Sequence, residues 1–249
     1  MMNATVLTKK LLWWLCAGVI SIAVAGNATA GTFSISPLRI ELDRKHNIGV
    51  LTLHNEEDAP LLIQAQIVDW SQDNNEDIAR VVSKDLLVTP TVIQVAPNSD
   101  QIVRVALRHV ENSESELHYR LILSEVPQPK SEKFTGLSVA LRMSIPIFIA
   151  PANKVQPDLV WNAKWQTDGS LKIEAFNQGK AHLQVTDFEI LFADADKLHV
   201  NPARYVLPGS HVSWVVKPVA SIDHHAALTI HGFSDQGEFR VAVSNVDAQ

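Results

Sequence analysis

Leu137-Ser138-Val139-Ala140-Leu141-Arg142-Met143-Ser144-Ile145-Pro146-Ile147-Phe148-Ile149 is the stretch on which the fold turns. Leu137, Val139, Leu141, Met143, Ile145, Ile147 and Ile149 fall on one face of an extended chain, and Ser138, Ala140, Arg142 and Ser144 fall on the other. Side chains of a strand alternate faces with period two, so the pattern predicts a half-buried β-strand. The apolar row is about twice the length of an ordinary strand of 5–6 residues. Pro146 has no N–H to give to a ladder, which predicts an edge position. A long apolar edge invites pairing with another chain. Two readings follow from the pattern alone: an ordinary core strand, or a strand meant for a partner.

The stretch lies in a chain of alternating runs with no extended helical periodicity. Residues 32–42, 49–54, 61–70, 86–89, 92–95, 102–107 and 119–123 alternate or are continuously apolar. Asn55-Glu56-Glu57-Asp58 and Pro97-Asn98-Ser99-Asp100 read as turns, and the polar segment 71–77 reads as a loop. Residues 160–165, 171–176, 183–192, 212–216, 227–231 and 239–243 form a second set of strand patterns, with Pro151 and Pro157 stiffening the chain between the sets. Many short strands separated by turn signals predict an all-β protein made of two tandem β-sandwiches.

The first thirty residues read as something other than fold. Lys9 and Lys10 precede an apolar run over 11–25, and Ala28-Thr29-Ala30 follows as a small-residue cleavage site. This is the pattern of a secretory signal peptide, and the run is shorter than the ~20 residues a membrane span needs. Cleavage after Ala30 leaves 219 of the 249 residues and removes Cys16, the only cysteine. The exported chain must therefore fold by burial, without a disulfide. It carries all 27 acidic residues against 19 of the 21 Lys and Arg, a net charge of −8. That surface argues against nucleic acid as a partner. No later stretch predicts stable membrane insertion.

Catalytic chemistry finds little support. The best of the ten histidines for a metal site are His224, His225 and His231. On one strand His225 and His231 would stand roughly 20 Å apart, too far to share an ion. Gly-x-Ser-x-Gly, phosphate-binding glycine loops and Cys-x-x-Cys are absent from the sequence. No metal, cofactor or catalytic residue is expected. Arg39 and Arg142 stand out because each lies mid-strand between apolar neighbours. Such an arginine either points to solvent or clamps a carboxylate through its bidentate fork.

An ordered set of short motifs resembles a known family. Ser36-Pro37-Leu38-Arg39-Ile40, Val88-Thr89-Pro90 with Ile93 and Pro97, Ile102-Val103-Arg104-Val105, Tyr119-Arg120-Leu121 with Glu125-Val126-Pro127, and the long strand ending in Phe148 and Pro151 occur in sequence. Together they look like the periplasmic assembly chaperones of chaperone–usher pili, across the whole first set of strands. Asn177, Val206-Leu207-Pro208-Gly209 and Ile230-His231-Gly232-Phe233 extend the likeness more loosely. The Arg-Met-Ser-Ile-Pro-Ile-Phe run, with Trp70-Ser71-Gln72, resembles the archaic or spore-coat-protein-like branch.

The resemblance implies two immunoglobulin-like sandwiches in an L or boomerang. The implied division is a signal peptide over 1–30, an N-terminal sandwich over 31–151 carrying the subunit-binding strand, a linker over 152–157 and a C-terminal sandwich over 158–249. It implies a periplasmic protein that binds pilus or fimbrial subunits by β-strand addition and delivers them to an outer-membrane usher. Leu137, Val139, Leu141, Met143 and Ile145 would be the inserted residues. A few such aliphatics, at about 1.5–3 kcal/mol for each one fully buried, are enough to hold a subunit before ordering costs. The family anchors the subunit's terminal carboxylate with an Arg on the first strand and a Lys on the last strand of the first domain. Arg39 matches the first, whereas Pro146 stands where the Lys is expected. Arg142, four residues earlier on the same face and roughly 13 Å away, is the candidate replacement. The competing expectation is a secreted two-sandwich fimbrial or surface protein. Such a subunit needs an N-terminal donor extension, and the strand pattern here begins within a few residues of Gly31.

Overall fold

The computed structural model describes residues 33–73, 75–79, 81–108, 113–127, 139–192, 197–201, 203–217, 227–243 and 246–248. The expected signal peptide, Leu137, Ser138, His224 and His225 lie outside the described residues. The described chain is built of strands alone. Its first half carries β1 (Phe33–Ser36), β2 (Ile40–Leu42), β3 (Ile48–Asn55), β4 (Leu61–Asp69), β5 (Ser71–Asp73), β6 (Glu76–Ile78), β7 (Leu86–Thr89), β8 (Val92–Val95), β9 (Asp100–Leu107), β10 (Leu117–Glu125) and β11 (Arg142–Ile149). Two sheets face each other, in the orders β1-β3-β9-β7 and β2-β11-β10-β4-β8. The alternating residues turn inward: Leu51 and Leu53 on β3, Ile63, Ala65 and Ile67 on β4, Val103 and Val105 on β9, and Leu121 and Leu123 on β10 form one core.

The second half carries β12 (Leu159–Trp165), β13 (Leu171–Asn177), β14 (Leu183–Phe192), β15 (Lys197–Val200), β16 (Arg204–Val206), β17 (His211–Val216), β18 (Leu228–Ser234), β19 (Gly237–Val243) and β20 (Val246–Ala248). One sheet runs β17-β13-β12-β20 and the other β15-β14-β18-β19, with β16 also pairing β14. Trp161, Trp165, Ile173, Phe188, Ile190 and Trp214 lead its separate core. The protein is thus all-β, with two immunoglobulin-like sandwiches in tandem.

Two local readings are corrected. The run over 32–42 is not one strand. Its first half pairs with β3 in one sheet, and after Pro37 the chain crosses to pair with β11 in the other. A proline cannot carry the ladder through that point, so Leu38 is left exposed while Ile40 and Leu42 enter the core. The polar segment after Trp70 is not a loop but the hairpin β5–β6, with Asn75 at positive φ in its turn. Asparagine tolerates that conformation better than most residues. Polarity on both faces concealed the strands, because neither face enters a core.

Each sandwich is closed by one fully buried asparagine at the end of an inner strand. Asn55 donates from Nδ2 to the carbonyls of Ala59 and Ala96 at 2.8 and 3.1 Å, and its Oδ1 accepts the Glu57 N–H. Asn177 donates to Ala181 and Val206 at 2.8 and 2.9 Å and accepts the N–H groups of Gly179 and Asp158. Neither side chain is exposed. Removing a buried amide strands several backbone groups at about 1–3 kcal/mol each. Asn177→Ala is therefore expected to lower the unfolding free energy of the second sandwich by about 3 kcal/mol, read as a shift in the urea midpoint.

Candidate functional site

The strand β11 is buried on both faces toward its C-terminal end. Ile145, Ile147 and Ile149 point into the first core. Phe148 points the other way, into a small cluster with Trp70 and Leu207, against which Tyr205 packs. Leu207 and Tyr205 belong to the second sandwich, so this cluster is the joint between the two. Phe148 lies flat on the His182 ring, with centroids 3.5 Å apart and planes 7° from parallel. Trp70 meets Tyr205 edge-on at 5.5 Å. The hairpin β5–β6 braces the same joint from one side. Gln72 donates to the Tyr205 carbonyl and accepts the Leu207 N–H, both at 2.9 Å. Asn75 accepts from Arg204 at 2.6 Å and from the Ser213 N–H at 2.8 Å.

A chain of charges runs through the joint. Glu116, just ahead of β10, accepts the His182 Nδ1–H at 2.6 Å and the His182 backbone N–H at 3.2 Å. His182 Nε2 faces Asp235 Oδ2 at 3.6 Å, and Asp235 in turn receives Arg39 Nη1 at 2.7 Å. His118 Nε2 lies 3.3 Å from Glu116 in a geometry too poor for a hydrogen bond. Burial alone would raise the Glu116 carboxyl, but His118 and His182 overcome it and hold the group down at about 2. Burial alone would lower the His182 pKa, and the carboxylates of Asp235 and Glu116 reverse that, so the net shift is upward. The imidazole thus stands between two carboxylates, with Nδ1 bonded to Glu116 and Nε2 facing Asp235.

The register fixes what stands near the family's lysine position. Ile40 pairs with Ile147, so Arg39 falls level with Pro146 on the neighbouring strand. Arg120 of β10 is the direct partner of Pro146 on its other side. The two guanidiniums therefore flank Pro146 in one row across the sheet. Arg120 stacks over Trp70 at 3.5 Å, lies 5.8 Å from the Tyr205 ring and reaches Asp77 of the hairpin at 3.3 Å. Arg142 is paired with Ser124, far along the strand from this row, and its side chain is exposed. Sequence reasoning missed Arg120. It carried the same signal as Arg39 and Arg142, a charge between apolar neighbours on a strand. Only the register of β10 against β11 shows that it is the one beside Pro146.

The expected donor residues do not behave alike. Ile145 is 2% exposed and belongs to the protein's own core. Met143 packs partly against that core. Leu141 is half-buried, with its backbone paired to Glu125, and Val139 is 59% exposed. The inward row therefore begins as core at Ile149 and emerges into solvent by Val139. On the side away from β10, β2 pairs only with Ile147–Ile149, and among the described residues no strand pairs 142–146 on that side. Among the described residues no cluster of three or more His, Cys, Asp or Glu is placed to hold a metal ion. His231 is engaged with Glu238 instead.

Comparison with known proteins places this architecture. Residues 32–154 match the model for the pili and flagellar-assembly chaperone, PapD N-terminal domain. The chaperone PapD of Escherichia coli is 28% identical over 160 residues, and the fimbrial chaperone YhcA of Escherichia coli K12 is 27% identical over 146. These matches cover 61% and 58% of this chain, and 61% of the length of each relative. The chaperone in the CsuC–CsuE pre-assembly complex of archaic Csu pili from Acinetobacter baumannii has the same fold, with a TM-score of 0.65 at 19% identity over 85% of this chain and 98% of that one. The Salmonella enterica complex of SafA pilin with the SafB chaperone gives 0.62 at 14% identity, over 87% and 98%. Residues 32–154 thus carry the N-terminal domain of the pili and flagellar-assembly chaperones, and the described chain has the two-sandwich fold of solved pilus chaperones.

The charged joint sets a pH dependence. The His182 pKa is raised in the folded chain, so its contribution is complete below about 6.5 and is lost as pH rises through the folded value. The Glu116 pKa is lowered to about 2, so its contribution is complete above about 4.5 and is lost as pH falls toward 2. Stability is expected to be greatest between these limits. In His182→Gln the alkaline decline should flatten and the acid limb should shrink to the part that His118 sustains, as measured by denaturant midpoints across pH.

Proposed function

We propose that this protein is a periplasmic chaperone that captures pilus or fimbrial subunits by donating the N-terminal part of its long strand and passes them to an outer-membrane usher. It works by binding, without catalytic turnover, metal or cofactor. The observation that carries the reading is the emergence of one apolar row from the first core into solvent along an unpaired edge, through Met143, Leu141 and Val139. An extended edge supplies main-chain bonds for affinity, and alternate side chains supply pocket contacts for specificity. In the sequence, Leu137 continues the same alternation. The leader over 1–30 is removed on export, and the two sandwiches divide near 152–157.

Arg39 anchors the subunit's terminal carboxylate, and Arg120 supplies the second positive charge that Pro146 cannot. Two fixed guanidiniums in one row favour a planar anion between them. Arg120 is only 13% exposed, so its charge acts mainly through the low-dielectric joint. In the archaic Csu system, CsuC and the tip adhesion subunit CsuE form a chaperone–subunit complex before assembly. That relation supports the same kind of partner here.

The direct test is co-purification from periplasm after expression with the genes flanking this one. A stoichiometric small partner is expected by intact mass, lost in Leu141→Glu although that variant keeps its β circular dichroism and melting temperature. Capture by Leu141→Glu at the unmodified level would overturn strand donation, and a lone monomer would favour a structural surface protein. Within the cleft, Arg39→Ala is expected to weaken capture at least tenfold, Arg120→Ala less, and Arg142→Ala within twofold. Equal losses in all three, measured by calorimetry on the purified client, would remove the row around Pro146 as the anchor.

A further inference from the structure

We propose that Asp235 caps Arg39 in the client-free protein as an internal stand-in for a client carboxylate, so that capture is an exchange of one carboxylate for another. The inference rests on the reading of Arg39 as the anchor. Arg39 comes from the first sandwich and Asp235 from the turn between β18 and β19 of the second, 196 residues away. Arg39 Nη1 lies 2.7 Å from Asp235 Oδ2, and its Nη2 lies 2.9 Å from Glu41 Oε1. Both arms of the fork are therefore occupied by carboxylates. An incoming carboxylate cannot take a bidentate hold without displacing one of them.

The two occupants differ. Glu41 is a 63% exposed neighbour two residues along the chain, a contact of small worth in water. Asp235 is 16% exposed and is set in place by its surroundings. Its Oδ1 accepts the Gln184 N–H at 3.0 Å, and its own N–H donates to the Gln184 carbonyl. Asp235 is also not stranded when Arg39 leaves. His182 Nε2 stands 3.6 Å from the same Oδ2 that Arg39 occupies. A buried carboxylate that lost its only cation would carry a large desolvation penalty. Here the His182 ring, itself held by Glu116, remains beside it. The arrangement makes Arg39 releasable in a way that an isolated salt bridge is not.

Capping lowers the apparent affinity for the client by the fraction of molecules in which Arg39 is free. It also prevents the anchor from holding stray anions firmly. Exchange removes one tie between the sandwiches and leaves the Phe148–His182 stack and the Gln72 and Asn75 brace in place. Client binding and the joint are then linked in both directions.

The test uses the whole mature chain, labelled with nitrogen-15 and carbon-13, and sodium acetate as the probe. Sodium chloride holds ionic strength constant, and acetamide serves as the neutral control. In the unmodified protein the Arg39 Nε–Hε signal and the Asp235 carboxyl carbon are expected to move together along one saturation curve. Asp235→Asn is expected to bind acetate at Arg39 about tenfold more tightly, whereas a purely structural bridge predicts no gain. Movement of Arg39 without Asp235, at an affinity unchanged in Asp235→Asn, overturns the cap and leaves the anchor standing. No acetate-specific shift at Arg39 in either protein overturns the anchor and the cap with it. If Asp235→Asn loses the His182 ring signals through a disturbed joint, the concerted movement in the unmodified protein decides alone.

Discussion

The structure depends on a strand that is buried on both faces. Along β11, odd positions from Ile145 to Ile149 fill the first core, and Phe148 between them fills the joint. A period-two chain can serve two layers only where a second body covers its outer face. The second sandwich supplies that cover through His182, Tyr205 and Leu207. The same strand thus ties one core to the neighbouring domain, and displacing Phe148 would unsettle both. Toward its start the cover ends. Arg142 and Ser144 are exposed on the outer face, and the inner row itself runs out of core. One strand holds the fold at one end and, among the described residues, presents an unpartnered edge at the other.

The joint is small in apolar area and rich in charge. Three side chains form its buried cluster, and around them lie Arg120, Glu116, His182, Asp235 and Arg39. Buried ions repay their desolvation only when each finds a partner. Here carboxylates and nitrogen groups alternate from Glu116 to Arg39, and every link but one crosses from one sandwich to the other. Polar contacts of this kind fix direction more sharply than apolar ones, because the bond angles and the charge order must both be met. The hairpin β5–β6 adds the same kind of directed contact at the side of the cluster, through the amides of Gln72 and Asn75, which do not titrate.

What was legible in the sequence follows from what is local. Alternation located most of the core strands and the break between the two sets, because period two is set by the backbone itself. The reading of Arg39 as an anchor came only from family likeness, and its pairing with Asp235 was not legible at all, since nothing local links residues 196 apart. Arg142 looked like the substitute cation because it shares a strand face with Pro146, whereas Arg120 lies beside Pro146 through cross-strand register. Register is a long-range property, and a single sequence does not display it. The hairpin after Trp70 was hidden for a different reason. Its side chains are polar on both faces because it meets the second sandwich through hydrogen bonds, so hydrophobic patterning carried no trace of it.

Pro146 joins these observations. A proline has no N–H to donate, so a ladder on that side must begin beyond it. The parallel pairing with β2 does begin at the next residue, Ile147. The proline that stands where the resemblance led us to expect a lysine therefore also marks where the strand pairing among the described residues stops. With no side-chain charge available at that position, the row can be positive only through the adjacent strands, and both supply an arginine there. On the strand-addition reading this arrangement is consistent in its geometry: the carboxylate end of a client meets the arginine row, and its preceding residues run along the edge that Pro146 leaves unpaired.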